Sequence, residues 1–452
     1  MVGRLTSDSM GHFRDCIVRP DPRHALLVVL LFACGPATAR AQANLENRPL
    51  KPSFWHAAAG VAAVNFITWG YDWYVQRWPW ANVGTAAWGH NLRTGFVWDN
   101  DLFLDNNLAH PYHGSFYHSS ARASGFGFFG SLPFVAMGSA TWELFGENIP
   151  ASLNDFIMTT LGGSAIGEVM YRLSSLLGSR HMPGPTVVAR ELGALALSPI
   201  GRTQSLVSPG RDGIVQPTEA VSSLSFGSRL GHPFFDLAVR YGSPFSVQTL
   251  RPYDAFEFRV QVSPQPGVRG IREVAISGLL ARKQLGRSGS SATVLGVFQH
   301  YDYDDLSAFD IMGQSVSGAL LYQRRLGLRN RIELGAHLEG VLFGGISADH
   351  GFEWHRDYDL GSGGGTRLNA AFSRDGHEWL RVESRLMWLH SLHGSDGNHV
   401  ATIVRAAAAV PLFGPVGLGG DLAVATRHSS YPHAASVTRR VPEMRAYLTW
   451  SP

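Results

Sequence analysis

The sequence predicts an α+β protein, a small N-terminal helical domain followed by an antiparallel transmembrane β-barrel of about 12 strands. Three observations carry this expectation. From about residue 219 onward, apolar and polar residues alternate with period two, as on a sheet with one greasy and one wet face. The connections between those segments alternate between short and long, as periplasmic turns and extracellular loops do in outer-membrane barrels. Between about 50 and 180, by contrast, the chain runs in long apolar stretches, mostly rich in small residues, that read as helices.

Composition narrows the partners. Lys and Arg number 38 and are scattered, the formal net charge is +3, and no basic run tracks a phosphate backbone, which argues against nucleic acid. Charged residues make up 16% of the chain, below the roughly 25% usual for soluble domains. That balance suits a surface facing lipid as well as water. Outer-membrane lipids and the barrel-assembly machinery are the expected partners, and no cofactor is expected.

At the N-terminus, Arg23-His24 precedes "ALLVVLLFACGPATA" (25–39), with small-x-small sites at Ala39-Arg40-Ala41 and Ala41-Gln42-Ala43. This is the pattern of a secretory signal peptide, so residues 1–43 form a signal-peptide region. Its apolar core is too short for a spanning helix, and the polar stretch 1–22 points to a start at Met10 or later. Cys16 and Cys34 both precede cleavage, which removes disulfides, thiolate catalysis and cysteine-ligated metals from the mature chain. A competing reading makes "LFAC" (31–34) a lipoprotein signal lipidated at Cys34, but the bulky Phe32 fits it poorly.

Residues 45–200 are read as the helical domain with its connector. Its long runs are "SFWHAAAGVAAVNFITWGYDWYVQRW" (53–78), "ARASGFGFFGSLPFVAMGSATWELFGE" (121–147) and "ASLNDFIMTTLGGSAIGEVMYRLSSLLG" (151–178). Pro133 is expected to kink the second, Asn148-Ile149-Pro150 to end it, and Ser152 or Asn154 to cap the third. Gly163 and Gly167 form a ridge of small residues on which another helix can lie closely. Asn65, Glu143, Glu147, Asn154, Asp155 and Glu168 interrupt the apolar runs enough to prevent arrest at the inner membrane. The domain is accordingly placed in the periplasm or inside the barrel. Residues 181–218 are rich in Gly, Pro and Ser and read as a connector with a short helix at 186–197.

Residues 219–452 are read as the barrel. In "IELGAHLEGVL" (332–342), Ile332, Leu334, Ala336, Leu338 and Leu342 share one face, and Glu333, His337 and Glu339 the other. Tight turns fall at 327–330, 374–376 and 413–416, and longer polar connections at 302–310, 346–362, 393–399 and 428–436. Glu333, His337, Arg381, Glu383 and Arg385 are expected to line a wet lumen. Trp379, Trp388, Tyr431, Tyr447 and Trp450 lie near strand ends, where an interfacial aromatic girdle would place them.

The candidate chemistry lies in the helical half. Glu143 and Glu147 are spaced to share a helix face, and Glu168 and Arg172 to form a salt bridge. One reading makes His110, His113, Glu143, Glu147 and Asp155 an acid–base or metal site, since imidazole nitrogens and carboxylates hold divalent ions or activate water. The spacing fixes no third ligand, and His110-x-x-His113 is not a zincin motif. The other reading makes a buried polar network, with Asn106, Arg122, Asn154, Glu168 and Arg172 bracing the helices. Serine-hydrolase elbows and phosphate-cradling loops are not evident. The long loop with His350, Glu353, His355, Arg356 and Asp357 reads as a solvated surface loop.

The succession "NNLAHPYHGSFYHSSAR", "GSATWELFGE" and "SLNDFIMTTLGGSAIGEVMYRLS", covering about 100–178, resembles an uncharacterised group of Gram-negative envelope proteins known only as a domain of unknown function. The residues carrying it are His110-Pro111, Gly114, Tyr117, Arg122, Trp142-Glu143, Glu147, Asn154-Asp155, Gly162-Gly163, Gly167-Glu168 and Tyr171-Arg172. The resemblance implies an exported protein with a helical module and a barrel-like C-terminal part, and it implies no reaction. The functional expectation is an outer-membrane barrel with a structural or transport-related role. The alternative is an envelope lipid-modifying enzyme or metal-assisted hydrolase using the His, Glu and Asp set.

Overall fold

The computed structural model describes residues 51–178, 187–207, 220–229, 231–263, 270–350 and 356–451. The expected signal-peptide region with Cys16 and Cys34, parts of the connector, and Glu353 and His355 lie outside the described residues.

The helices are α1 (Phe54–Gly70), α2 (Thr85–Thr94), α3 (His110–Ala123), α4 (Phe128–Phe145), α5 (Leu153–Leu177), α6 (Val187–Leu197) and α7 (Pro199–Val207). Ser53 caps α1 and Ser152 caps α5, each hydroxyl accepting a backbone N–H, from His56 at 3.4 Å and from Asp155 at 3.1 Å. The run expected at 121–147 is split, because α3 continues to Ala123 and the chain turns at Gly125, φ 94°, before α4 starts. Pro133 lies inside α4. That helix ends at Phe145, so Glu147 lies beyond it and the expected shared face with Glu143 does not form. The connector supplies α6 where a short helix was expected, and also α7, which was not. No described helix is long and apolar enough to cross a membrane.

Helices α3 and α5 cross with their backbones in contact. A Cβ on Gly163 would lie 2.6 Å from the Cα of Gly114, and one on Gly167 would lie 2.6 Å from the Cβ of His118. The small-residue ridge therefore does what its composition suggested.

The strands are β1 (Ala220–Arg229), β2 (His232–Tyr241), β3 (Phe256–Val262), β4 (Ile271–Arg287), β5 (Ser291–Asp305), β6 (Asp310–Leu326), β7 (Asn330–Ser347), β8 (Tyr358–Arg374), β9 (His377–His393), β10 (Asn398–Phe413), β11 (Val416–Ser430) and β12 (Val437–Trp450). Each pairs antiparallel with the next, and β12 closes on β1 with Leu224 opposite Trp450, so the sheet has no free edge. Several strands run further than alternation alone suggested. Because β5 continues to Asp305 and β8 begins at Tyr358, the connections expected at 302–310 and 346–362 shrink to 306–309 and 348–357. The added residues are still paired across the sheet, Asp304 opposite Ile311 and Tyr358 opposite Ser347.

Ion pairs between non-neighbouring strands identify the inner face, since such side chains can meet only across the lumen. Arg405 of β10 reaches Glu273 of β4 at 3.0 Å, Arg240 of β2 reaches Glu378 of β9 at 3.0 Å, and Arg385 of β9 reaches Asp302 of β5 at 2.9 Å. Glu333, His337, Arg381, Glu383 and Arg385 line this interior. On the alternate positions Leu320, Leu334, Leu338, Leu368, Leu386, Leu422, Met444 and Leu448 are exposed outward. The aromatic girdle needs correction. Trp388 is exposed, but Tyr447 turns into the lumen against Phe234, and Tyr431 is buried beside His399.

The helices lean on the outside of this wall. Outward-facing Tyr301 donates to the Asn107 carbonyl at 2.5 Å, and Gln299 donates to the Ser164 hydroxyl at 3.1 Å. One apolar cluster joins Met158, Ile166, Val169 and Leu173 of α5 to Val239, Phe258, Ile276, Met312 and Phe343 of the wall. These contacts set α5 and the residues before α3 against the outward side of the wall. The lumen is occupied by the wall's own paired charges, whereas the outward Tyr and Gln side chains require polar partners that lipid cannot offer.

Candidate functional site

The polar residues of the helical module fall into two groups with different chemistry. The first surrounds Glu168, fully buried on α5. Its carboxylate meets His118 Nε2 at 2.9 Å, Arg122 Nε at 2.7 Å and Arg172 Nε at 2.7 Å. Arg172 continues to the barrel, where it bonds Asp254 at 3.1 Å and the Pro252 carbonyl at 2.8 Å. Burial alone would push the Glu168 carboxyl up, but Arg122, Arg172 and His118 hold it well below the usual carboxylate range. This group is sealed and mutually paired, a clamp between α3, α5 and the barrel rather than a place where a substrate could enter.

The second group is a cleft at the N-terminus of α5. A short bridge between Val97 and Ser152 ties the segment 97–101 to that helix end, with Val97 N–H on the Ala151 carbonyl at 2.9 Å and Leu153 N–H on the Val97 carbonyl at 2.8 Å. Asn154 then fixes two acids. Its Nδ2 donates to Asp99 Oδ1 at 2.6 Å and to Asp155 Oδ1 at 3.2 Å, and its Oδ1 accepts the Asp99 N–H at 3.1 Å. His110, at the start of α3, places Nε2 between Asp101 Oδ2 at 3.5 Å and Asp155 Oδ2 at 3.4 Å. The Asp101 side chain is 42% exposed, so the cleft opens to solvent on that side. Glu143 accepts the Ser152 N–H at 2.9 Å, and Glu147 accepts the Trp142 indole N–H at 2.8 Å.

Acids outnumber cations in this cleft. Burial, then the charges of Glu147 and Asp155, pushes the Glu143 carboxyl well up, and burial with Asp99 and Asp101 does the same to Asp155. Burial also raises Glu147, to about 7. For His110 burial works against the cation, yet the hydrogen bond and charge of Asp101, with Glu143 and Glu147, lift it to about 9. The His110 imidazolium and the buried Arg356 guanidinium, which donates to the Asp99 carbonyl, thus face Asp99, Asp101, Glu143, Glu147 and Asp155. Such a set can hold a cation or shuttle a proton.

The sequence-predicted residues are therefore partly regrouped. His110, Glu143, Glu147 and Asp155 converge. His113 does not join them: its ring packs on Tyr117 and Trp142, and its Nε2 lies 3.1 Å from the Tyr117 hydroxyl and 3.4 Å from Thr68 Oγ1. Burial, reinforced by the charge on His110, brings its pKa down to about 3, leaving a neutral hydrogen-bonding ring. Asn154 belongs to the cleft rather than to the Glu168 clamp. Asn106 is fully buried, and neither atom of its side-chain amide has a partner among the described residues. Sequence reasoning missed Asp99 and Asp101, although "WDND" (98–101) is an acid-dense stretch just ahead of Asn106. It also missed Asp254 and Tyr358, which lie in the barrel half and have no local signal.

Comparison with known proteins adds the following. No curated protein matches the chain. Among solved structures, the KdgM porin matches with 6% identity and a TM-score of 0.24 over 51% of this chain and 98% of that one. The NanC porin matches with 5% identity and a TM-score of 0.25, over 51% and 98%. The outer membrane channel DcaP of Acinetobacter baumannii matches with 6% identity and a TM-score of 0.22, over 52% and 96%. At those scores they add nothing to the barrel already described. Residues 95–200, which contain α3, α4 and α5 with His110, Asp155 and Glu168, match the family model described as Domain of unknown function (DUF3943).

Proposed function

We propose that the protein is an outer-membrane β-barrel with a structural or transport-related role, carrying the helical module as a rigid attachment to its outer wall. The observation that supports this most is the sorting of side chains by strand face. Inward positions carry charges paired across the barrel, while outward positions such as Leu338, Leu422 and Met444 are exposed. In water that apolar band would be an aggregation surface, and against acyl chains it is stabilised. Exposed Trp55, Phe66 and Tyr74 on and just after α1 suit the same interface.

The lumen favours a closed or gated role over a wide pore. A cavity of about 720 Å³, lined by Arg240, Glu257, Arg381 and Glu378, occupies part of it, while Ile311, Val341, Ile346, Met387 and Leu389 pack together around the opposite end. Reconstituted into planar bilayers, the protein is expected to show no steady porin-like conductance, and a Met387→Ser, Leu389→Ser double variant to show stepwise openings. The wild type should also fractionate with outer membranes and migrate on gels in a heat-modifiable way. A constantly open wild-type channel would contradict the gated lumen, and recovery in the soluble fraction would contradict the membrane assignment itself.

A further inference from the structure

We propose that Asp101, His110 and Asp155 form a site for a divalent transition metal ion of the zinc type, at the seam between the helical module and the barrel. The first support is geometric. His110 Nε2 stands 3.4 Å and 3.5 Å from the two carboxylate oxygens, and all three atoms lie within 4.8 Å of one another. A direct charged hydrogen bond closes to about 2.7–2.9 Å, as the His118–Glu168 pair of the same module does at 2.9 Å. Ligand atoms bound at about 2.0–2.1 Å in a tetrahedral shell stand roughly 3.3–3.4 Å apart. The observed separations are longer than a close charged hydrogen bond and of the right size for a shared metal.

The second support is independent of the acids. Tyr358, 1% exposed, comes from the start of β8; its ring lies under the Arg356 guanidinium within electrostatic reach of Asp155, Asp99 and Asp101, and its hydroxyl has no hydrogen-bond partner among the described residues. Asn106, fully buried in the π-helical turn Asp105–Ala109 that leads into α3, also leaves both side-chain amide atoms without a partner among the described residues. Buried polar groups are costly unless satisfied, and a metal with bound water supplies what these groups lack.

The chemistry fits a particular class of ion. One imidazole and two carboxylates neutralise a divalent charge and favour zinc-like metals, whereas calcium and magnesium take oxygen-only shells. Asn154, holding Asp155 Oδ1 at 3.2 Å and Asp99 Oδ1 at 2.6 Å, is the outer hydrogen bond that orients a ligating carboxylate. Three protein ligands leave a fourth position open, and half-exposed Asp101 gives the route by which an ion or water arrives.

The test uses the full-length protein folded in detergent, stripped with chelator and titrated with Co²⁺ and Zn²⁺. One ion per chain is expected, with the intense visible absorption of four-coordinate cobalt, displaced by zinc and not by calcium. His110→Ala should weaken binding at least about 100-fold, and Tyr358→Phe about 10-fold. If His110→Ala fails to fold, Asp101→Asn on the half-exposed carboxylate carries the test, with heat-modifiable migration as its folding control. Colourless or calcium-displaceable binding in the wild type, or unchanged binding in folded Asp101→Asn, overturns the site.

Discussion

Replacing Glu168 by alanine is expected to release the helical module from the barrel and to cost about 3–5 kcal/mol of its stability, the range for breaking a buried ion pair from one side. The loss is large because Glu168 is shared. Its carboxylate pairs with Arg122 and His118 on α3 and with Arg172 on its own helix, and Arg172 in turn holds Asp254 of the barrel. Without it two guanidinium groups remain buried beside each other. Limited proteolysis of α3 and α5 should accelerate while the heat-modifiable barrel is retained. Resistance equal to wild type in Glu168→Ala would show that apolar contact alone holds the module.

The same group makes an acid-sensitive joint. Burial opposes the Glu168 charge, but its cationic neighbours hold the folded carboxyl far below its ordinary value of 4.5. The stabilisation is therefore complete above about pH 4.5 and is lost as the pH falls below it toward the folded value. Module release should begin on acidification and reverse on neutralisation, as followed by tryptophan fluorescence. Glu168→Gln should remove the acid-dependent part of that transition.

Replacing Gly163 by valine is expected to be the other severe change, destabilising the module by about 3 kcal/mol, the upper part of the range for overpacking. The first added carbon already meets the Gly114 backbone at 2.6 Å, and Gly114 itself lies against Thr159, whose carbonyl oxygen is 2.2 Å from where a Cβ would stand. Neither neighbour is the end of a flexible side chain, so the helices must separate. Separation would pull His118 from Glu168 and tilt α5 away from Ile276 and Tyr301. Chemical unfolding of Gly163→Val should show an early transition absent from the wild type. A single transition at the wild-type midpoint would mean that the crossing tolerates the extra volume.

The two halves of the chain differ in how much of them could be read. Alternation in "IELGAHLEGVL" predicted that Glu333 and His337 face one way and Leu334 and Leu338 the other, and they do. Tyr447 shows the limit of the same reasoning. Near a strand end it looks like an interfacial aromatic, yet its position in the register of β12 turns it toward Phe234 in the lumen. In the helical half, Glu168 and Arg172 were legible as a pair because they stand one turn apart. Glu143 and Glu147 have the same spacing and do not form such a face, because α4 stops at Phe145 and the geometry that the spacing presumes ends with it.

What the sequence determined by itself is whatever depends on neighbours along the chain: the alternation that makes the strands and their two faces, a cap at Ser152 or Asn154, and the glycines where α3 and α5 touch. Only the tertiary structure decided that α5 packs on Ile276 and Met312 of the wall, that Asp101 and Asp155 close on His110 while His113 does not, and that Arg172 reaches Asp254. The reason is physical. Periodicity and capping are set by local backbone geometry, whereas these meetings depend on how whole helices and a closed sheet pack, and no spacing between residues encodes that.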